Sequence, residues 1–253
     1  MNLNEQIVLV TGGNRGLGAE ICRSFVREGA KVVINYFNNR EQAENLAQEL
    51  GKNAVAIRAD IRSRGEIDAL FREAKAHFGS SITTVVNNAL VNFKFDPVNR
   101  RDAEHISWGE YLAQLEGAVQ GSLNTVQAAI PGMKRAGFGR IINIGTNLVQ
   151  NPVVAYHDYN TAKAAMLSFT RNMAKDLGAY GINVNMVSGG LLRTTDASRA
   201  TSDEVFEIIK STTPLGEVTT PAEVADAVLF FASPWSRGVT GQNIMVDGGL
   251  VMN

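Results

Sequence analysis

A single cysteine, Cys22, excludes an intrachain disulfide, and a lone thiol in an apolar segment reads as a buried structural residue. His77, His105 and His157 are the only histidines, and none stands at ligand spacing with another, so no metal site is expected. Neither sign of charge dominates. The 24 Lys and Arg against 25 Asp and Glu leave a formal net charge of −1, which argues against nucleic acid or an anionic membrane surface as partner. No apolar run approaches the ~18 residues of a membrane span. The four apolar residues from Ile7 to Val10 are too few for a secretory leader. These absences lead to the expectation of a cytoplasmic protein acting on small molecules. Proline is sparse too, with six residues expected at helix starts or in loops, and no Pro/Gly/Ser linker, repeat or low-complexity tract divides the chain.

What is present is a rhythm. Short β-branched runs at 7–10, 31–34, 54–57, 83–86, 140–144, 182–187 and 243–246 alternate with longer segments of helical period. The runs are continuously apolar, which implies a sheet covered on both faces, hence a parallel, doubly wound α/β fold. One domain spanning 1–253 is expected, since a single α/β domain of roughly 250 residues is common. Two stretches lack a clear strand. Residues 91–107 are polar and read as a surface excursion before a helix starting near Ser107. Residues 188–220 read as a loop and short helix over the carboxyl ends of the strands, where open α/β sheets bind ligands.

The first strand runs directly into TGGNRGLG, residues 11–18. Glycines at 12, 16 and 18 permit a tight turn and close approach of a pyrophosphate, while the next helix aims its amino end at the phosphates. Gly12, Asn14, Arg15, Gly16, Leu17 and Gly18 are therefore candidate cofactor-binding residues. The second strand ends in Asn35, Tyr36 and Phe37, without the acidic residue that would hold a ribose 2′-hydroxyl. Arg15 inside the turn is suited to a 2′-phosphate, which favours NADP(H) over NAD(H); as an ordinary loop arginine it would leave the choice open. Tyr36, Asp60, Ile61, Asn88, Ala89 and Gly189 complete the candidate cofactor set at strand ends, although turn chemistry alone also accounts for Asn87-Asn88.

AYHDYNTAKAAM, residues 155–166, carries Tyr159 and Lys163 four apart, on one face of a helix. A phenol near pKa 10 needs to fall by roughly three units, about 4 kcal/mol, to exchange protons freely at neutral pH. An ammonium at ~4 Å supplies about 4 kcal/mol at an effective dielectric of ~20. The pair is thus sufficient for acid/base work, and Tyr156, with Asn160 four residues on, lacks such a partner. A lysine that snorkels to solvent is the competing reading. Thr146, after the fifth strand, offers a hydroxyl for a carbonyl oxygen, or is a turn residue only.

Taken together, these residues resemble the classical short-chain dehydrogenases/reductases, and within them the 3-oxoacyl-[acyl-carrier-protein] reductase-like branch. The resemblance runs from TGGNRGLG through Asn87-Asn88-Ala89, Thr146, Tyr159 and Lys163, and NVNMVSGG at 183–190 to VTGQNIMVDGG at 239–249. It implies an NADPH-dependent carbonyl reductase. Tyr159 would be the proton donor, Lys163 the residue that lowers its pKa and holds the nicotinamide ribose, and Thr146, in a serine position, the one that orients the substrate carbonyl. It also implies a homotetramer. The chain departs from the family at three places. Leu90 replaces a usual glycine and should narrow the loop beside the ribose. Ser188-Gly189 replaces Pro-Gly and should loosen a turn near the nicotinamide. Ala118 stands where an asparagine of the proton relay is expected, with Gln114 and Ser122 one turn away as substitutes.

The alternative is a noncatalytic NADP(H)-binding sensor on the same fold. For the substrate, Leu191, Leu192, Phe206, Ile208 and Ile209 read as an apolar lid, while Arg100, Arg101, Lys134 and Arg135 are candidate contacts for an acidic carrier protein. His157 and Asp158 are expected at the cleft entrance or as solvated loop residues.

Overall fold

A computed structural model describes residues 1–93, 95–193, 195, 198 and 201–252. Seven parallel strands form one sheet, β1 Ile7–Val10, β2 Lys31–Tyr36, β3 Ala54–Arg58, β4 Thr84–Asn87, β5 Gly139–Thr146, β6 Ile182–Gly189 and β7 Asn243–Val246, in the order β3-β2-β1-β4-β5-β6-β7. This is the expected doubly wound α/β architecture, a single domain with seven strands within a few residues of their expected bounds. Helices α1 Gly16–Arg27, α2 Arg40–Leu50 and α8 Pro221–Ala232 pack on one face, where Ile21, Phe25, Leu46, Val228 and Phe231 meet Val8, Val32 and Ile34. Helices α3 Arg64–Phe78, α5 Gly121–Ala136 and α6 His157–Leu177 cover the other, burying Ile67, Leu70, Val126 and Met133 against Leu9, Val85 and Ile141. Both sheet faces are dry, which is why the strands are apolar at consecutive positions.

Helix α4, Trp108–Leu115, starts where expected: Ser107 caps it, accepting from the Glu110 amide while Glu110 Oε2 accepts from the Ser107 amide at 2.9 Å. α4 runs into α5 through a π-helical turn, Glu116–Gln120, that contains Ala118. Pro131 departs from expectation, lying inside α5. The carbonyl it leaves without an amide partner is that of Gln127, an exposed residue open to solvent. α7, Asp203–Thr212, lies beyond β6 in the segment expected to cover the strand ends.

The order of the sheet reverses between β1 and β4, so their following loops diverge and leave a crevice at the carboxyl edge. A buried polar chain crosses the sheet beneath this edge. Thr125 of α5 donates to Asn87 Oδ1 at 2.7 Å, Asn87 donates to Asn143 Oδ1 at 2.8 Å, and Asn143 donates to Thr170 of α6 at 2.8 Å. Each buried amide is thereby satisfied, and the chain fixes α5 and α6 against β4 and β5.

Candidate active site

The glycine turn after β1 has no room for a side chain at Gly12 or Gly18. A Cβ on Gly18 would collide with the carbonyl oxygen of Gly12, and one on Gly12 would stand 3.0 Å from Ala89 Cα, while Gly12 itself adopts φ +59°. The loop after β4 locks this turn: Asn88 Nδ2 donates to the carbonyls of Thr11 and Gly12 at 2.9 and 3.2 Å, and the amides of Asn88 and Ala89 donate to Thr11 Oγ1 at 2.9 and 3.0 Å. Arg15 is exposed at the N-cap of α1, and no side chain caps that helix, so its first-turn amides face the crevice. A backbone cradle at an uncapped helix amino end fits a dinucleotide pyrophosphate.

Several candidate cofactor residues have other employment. Asn14 is buried and donates to Gln42 at 3.3 Å. Leu17 packs against the α1 core, and Tyr36 is buried in it. Asp60 is held by Arg62 at 2.7 Å; this hydrogen-bonded guanidinium keeps the carboxyl below its ordinary range, so Asp60 pins its own turn. Ile61 turns its side chain into the second core, and its carbonyl accepts from Asn124 at 2.8 Å. A would-be Cβ on Gly16 stands 3.8 Å from Thr195, so this residue after β6 lies beside the glycine turn. Thr194, Asp196, Ala197, Arg199 and Ala200 of the expected lid lie outside the described residues.

At the end of β6 the expected loosening does not occur. Ser188 and Gly189 remain in the strand, paired with Gly145 and Thr146 of β5, and Ser188 donates to Asn243 at 2.8 Å. Of the apolar lid residues, Leu192 packs against the first core instead of facing the cleft, and Ile208 is 61% exposed. The basic residues form no single patch. Arg100 donates to the Ala155 carbonyl and Arg101 pairs with Glu110 near the cleft, whereas Lys134 and Arg135 end α5 at the opposite edge.

Tyr159, Lys163 and Thr146 converge where β5 ends. Helix α6 begins at His157, which places Tyr159 in its first turn and Lys163 one turn on, both buried. The Thr146 side chain lies beside Tyr159 and opposes the effect of burial on its phenol, and Thr146 also caps a short turn by accepting from the Leu148 amide at 3.3 Å. Lys163 Nζ donates to the carbonyl of Ile144 at 2.7 Å and lies 5.7 Å from the centre of the Tyr159 ring.

Two expectations are corrected here. First, the surface excursion is not wholly on the surface. Gln114 Nε2 anchors the Val91 carbonyl at 3.0 Å, Asn92 turns the chain with φ +48°, and Phe93 then stacks on Tyr159 with centroids 4.7 Å apart and planes at 19°. Phe95 meets the same ring edge-on at 5.2 Å. Second, the Tyr159 phenol is not lowered. Burial pushes it up to about 12 against the opposing effect of Thr146, and burial brings Lys163 down to about 8. Desolvation outweighs attraction because the rings exclude water and Lys163 is engaged by a backbone carbonyl.

The substitutes for the missing asparagine are also committed elsewhere. Gln114 holds Val91, and Ser122 donates back to the Ala118 carbonyl at 2.6 Å. Ala118 packs with Ala162, Met166 and Met186. Tyr156 forms a wall, edge-on to Phe93 at 5.3 Å. His157 and Asp158 lie in the first turn of α6 and border a cleft of about 180 Å³ with Phe93, Arg100 and Tyr156. Cys22 is buried, and burial raises its thiol well above the ordinary range. Among the described residues no three His, Cys, Asp or Glu gather at a metal site, and no helix is long and apolar enough to cross a membrane.

Residues 12–251 match a family described as enoyl-(acyl carrier protein) reductase. Among curated proteins, the chain is 32% identical over 249 residues to the 3-oxoacyl-[acyl-carrier-protein] reductase FabG of Staphylococcus aureus, covering 96% of this chain and 97% of that one. It is 30% identical over 252 residues to the protein of the same name from Vibrio cholerae, and 31% over 253 residues to that from Vibrio harveyi, with 100% of each chain covered. The names share a carrier-protein thioester and differ in whether an enoyl or a 3-oxoacyl group is reduced.

Proposed function

The chain belongs to the short-chain dehydrogenase/reductase family, and from that premise we propose that it is an NADPH-dependent reductase of a carbonyl compound, a 3-oxoacyl thioester or another ketone. The convergence of Tyr159, Thr146 and Lys163 at the end of β5, on the same carboxyl edge of the sheet as the glycine turn, carries this reading. Two adjacent hydroxyls suit a single carbonyl oxygen, which accepts two hydrogen bonds, better than they suit an isolated carbon–carbon double bond.

Gly12, Gly18 and the amino end of α1 would hold the pyrophosphate, and a bound nicotinamide would supply the hydride that adds to the carbonyl carbon. As the oxygen becomes an alkoxide, Tyr159 transfers its phenolic proton to it and Thr146 holds it in place. Lys163, charged below about pH 8, stabilises the phenolate left on Tyr159. Water exclusion around the buried pair strengthens each of these interactions. The absence of an acid after β2 and the exposed Arg15 support NADP(H) over NAD(H). A homotetramer in the cytoplasm fits the same reading: Trp108 and Leu112 on α4, and Phe230 and Trp235 near the end of α8, are exposed apolar residues that an oligomer would bury.

A second reading, a noncatalytic cofactor-binding sensor, draws on the aromatic cover over Tyr159 and on Ala118. Substitution of Tyr159 by Phe separates the two. The reductase reading expects a loss of turnover of about 10²–10⁴-fold with NADPH affinity retained. A sensor would bind NADPH without oxidising it in the presence of any ketone, before or after the substitution.

A further inference from the structure

One wall around Tyr159 belongs to neither helix nor strand: the chain just after Asn92, which delivers Phe93 to the ring face and Phe95 to its edge. Phe93 and Phe95 also contact one another edge-on at 4.9 Å, and each meets Tyr156 edge-on, at 5.3 and 5.8 Å. Four rings thus form one aromatic box in which the phenol is buried. A substrate that reaches the covered face of Tyr159 displaces Phe93 and passes Phe95.

The anchoring is asymmetric. Val91 is fixed to Gln114, and a Cβ on Gly117 would stand 2.9 Å from Val91 Cβ, so the chain is held tightly up to the turn at Asn92. Phe93 itself is only half-buried, and it borders the cleft of about 180 Å³ beside Tyr156. A cavity of about 150 Å³ is enough to accept benzene. The displaced ring therefore has a place to go, while the Tyr159 face it leaves is planar and still bordered by Phe95, which Tyr156 backs edge-on.

We propose that Phe93, with Phe95 and Tyr156, is a specificity-determining residue that holds the place of a flat group on the substrate, so that the site selects aryl or ring-conjugated carbonyl compounds over flexible alkyl ketones and acyl chains. A substrate ring restores the stacking that Phe93 gives up; an alkyl chain does not, and it also loses rotamer freedom on entering. This inference rests on the reductase reading and narrows its substrate class.

The test compares acetophenone with 2-octanone, two eight-carbon methyl ketones, in NADPH oxidation. Apolar burial alone favours the octanone, so an aryl preference must come from the rings. The box predicts a kcat/KM about tenfold higher for acetophenone, the scale of an aromatic contact. Phe93→Leu, which keeps the bulk and loses the ring, brings the ratio to about one, and Phe93→Tyr preserves it. Calorimetric binding of 1-phenylethanol and 2-octanol to the NADP⁺-loaded protein needs no turnover and should follow the same order with the same dependence on Phe93. Phe93-dependent binding of the aryl alcohol with neither ketone reduced would uphold the box and remove the reductase reading. Reduction of both ketones with a ratio that Phe93→Leu leaves unchanged, an alkyl preference in the wild type, or no binding of either alcohol overturns the proposal.

Discussion

The turn at 11–18 and the segment at 91–95 both border the crevice, yet they are built on opposite terms. The first is held by its own backbone and by Thr11 and Asn88, with no space left for a side chain at Gly12 or Gly18. The second is fixed only as far as Val91, and beyond Asn92 it is held by ring contacts. The proposed cofactor cradle is thus ready-made, whereas Tyr159, the proposed acid, is closed off by side chains. On that proposal, affinity for the cofactor and access to the acid are properties of different parts of the chain.

The largest expected effect breaks the rigid side of this contrast. Gly18→Ala forces a methyl against the Gly12 carbonyl, a backbone atom that cannot swing aside. NADPH binding should be lost, with a destabilisation of about 1–3 kcal/mol, read by cofactor titration and thermal unfolding.

Lys163→Met acts on the closed side and should abolish turnover while stabilising the fold. Burial lowers Lys163 from its ordinary 10.5 to about 8, a cost of about 3 kcal/mol at neutral pH. With the folded value below the unfolded one, the unfolded chain binds more protons between pH 8 and 10.5, so wild-type stability gains from this group as pH rises through that window. Denaturation as a function of pH should show the rise in the wild type and its absence in Lys163→Met.

The smallest effect sharpens the comparison. Asn88→Ala removes two hydrogen bonds to the glycine turn and leaves two partly buried carbonyls without this donor, a loss of about 1–2 kcal/mol in stability. NADPH affinity should weaken with it, while the selectivity among ketones, which belongs to the aromatic box, stays as in the wild type.

The same contrast decides what the sequence reveals. Each of the seven strands carries consecutive apolar residues, and the glycine turn and the Tyr159–Lys163 pair depend on spacing within one element, so all are legible from neighbouring residues. The placement of Phe93 and Phe95 depends on a left-handed Asn92 and on contacts with a helix far along the chain. In sequence they are two phenylalanines in a polar stretch, and the stretch reads as surface. The direction of the Tyr159 shift departs from expectation for the same reason: the i, i+4 spacing puts Lys163 on the right face, but does not show where its ammonium donates, which is the Ile144 carbonyl. Asp60 and Ile61 occupy the expected strand end, yet Arg62, Asn124 and the core claim their groups, a competition that spacing does not show. The π turn at Ala118 has no signature in composition either. Asn87 and Asn143, whose amides tie β4 to β5, were visible only as polar residues beside apolar runs.

The aromatic closure of Tyr159 is tested most directly by titrating that phenol in the ligand-free protein, by NMR of ring-labelled tyrosine, with and without Phe93. The wild type should titrate near 12 and Phe93→Ala should move toward the ordinary 10, as water reaches the hydroxyl. A wild-type value near ~7 would return the tuning to Lys163, and a value that Phe93→Ala leaves unmoved would contradict the aromatic cover as its cause.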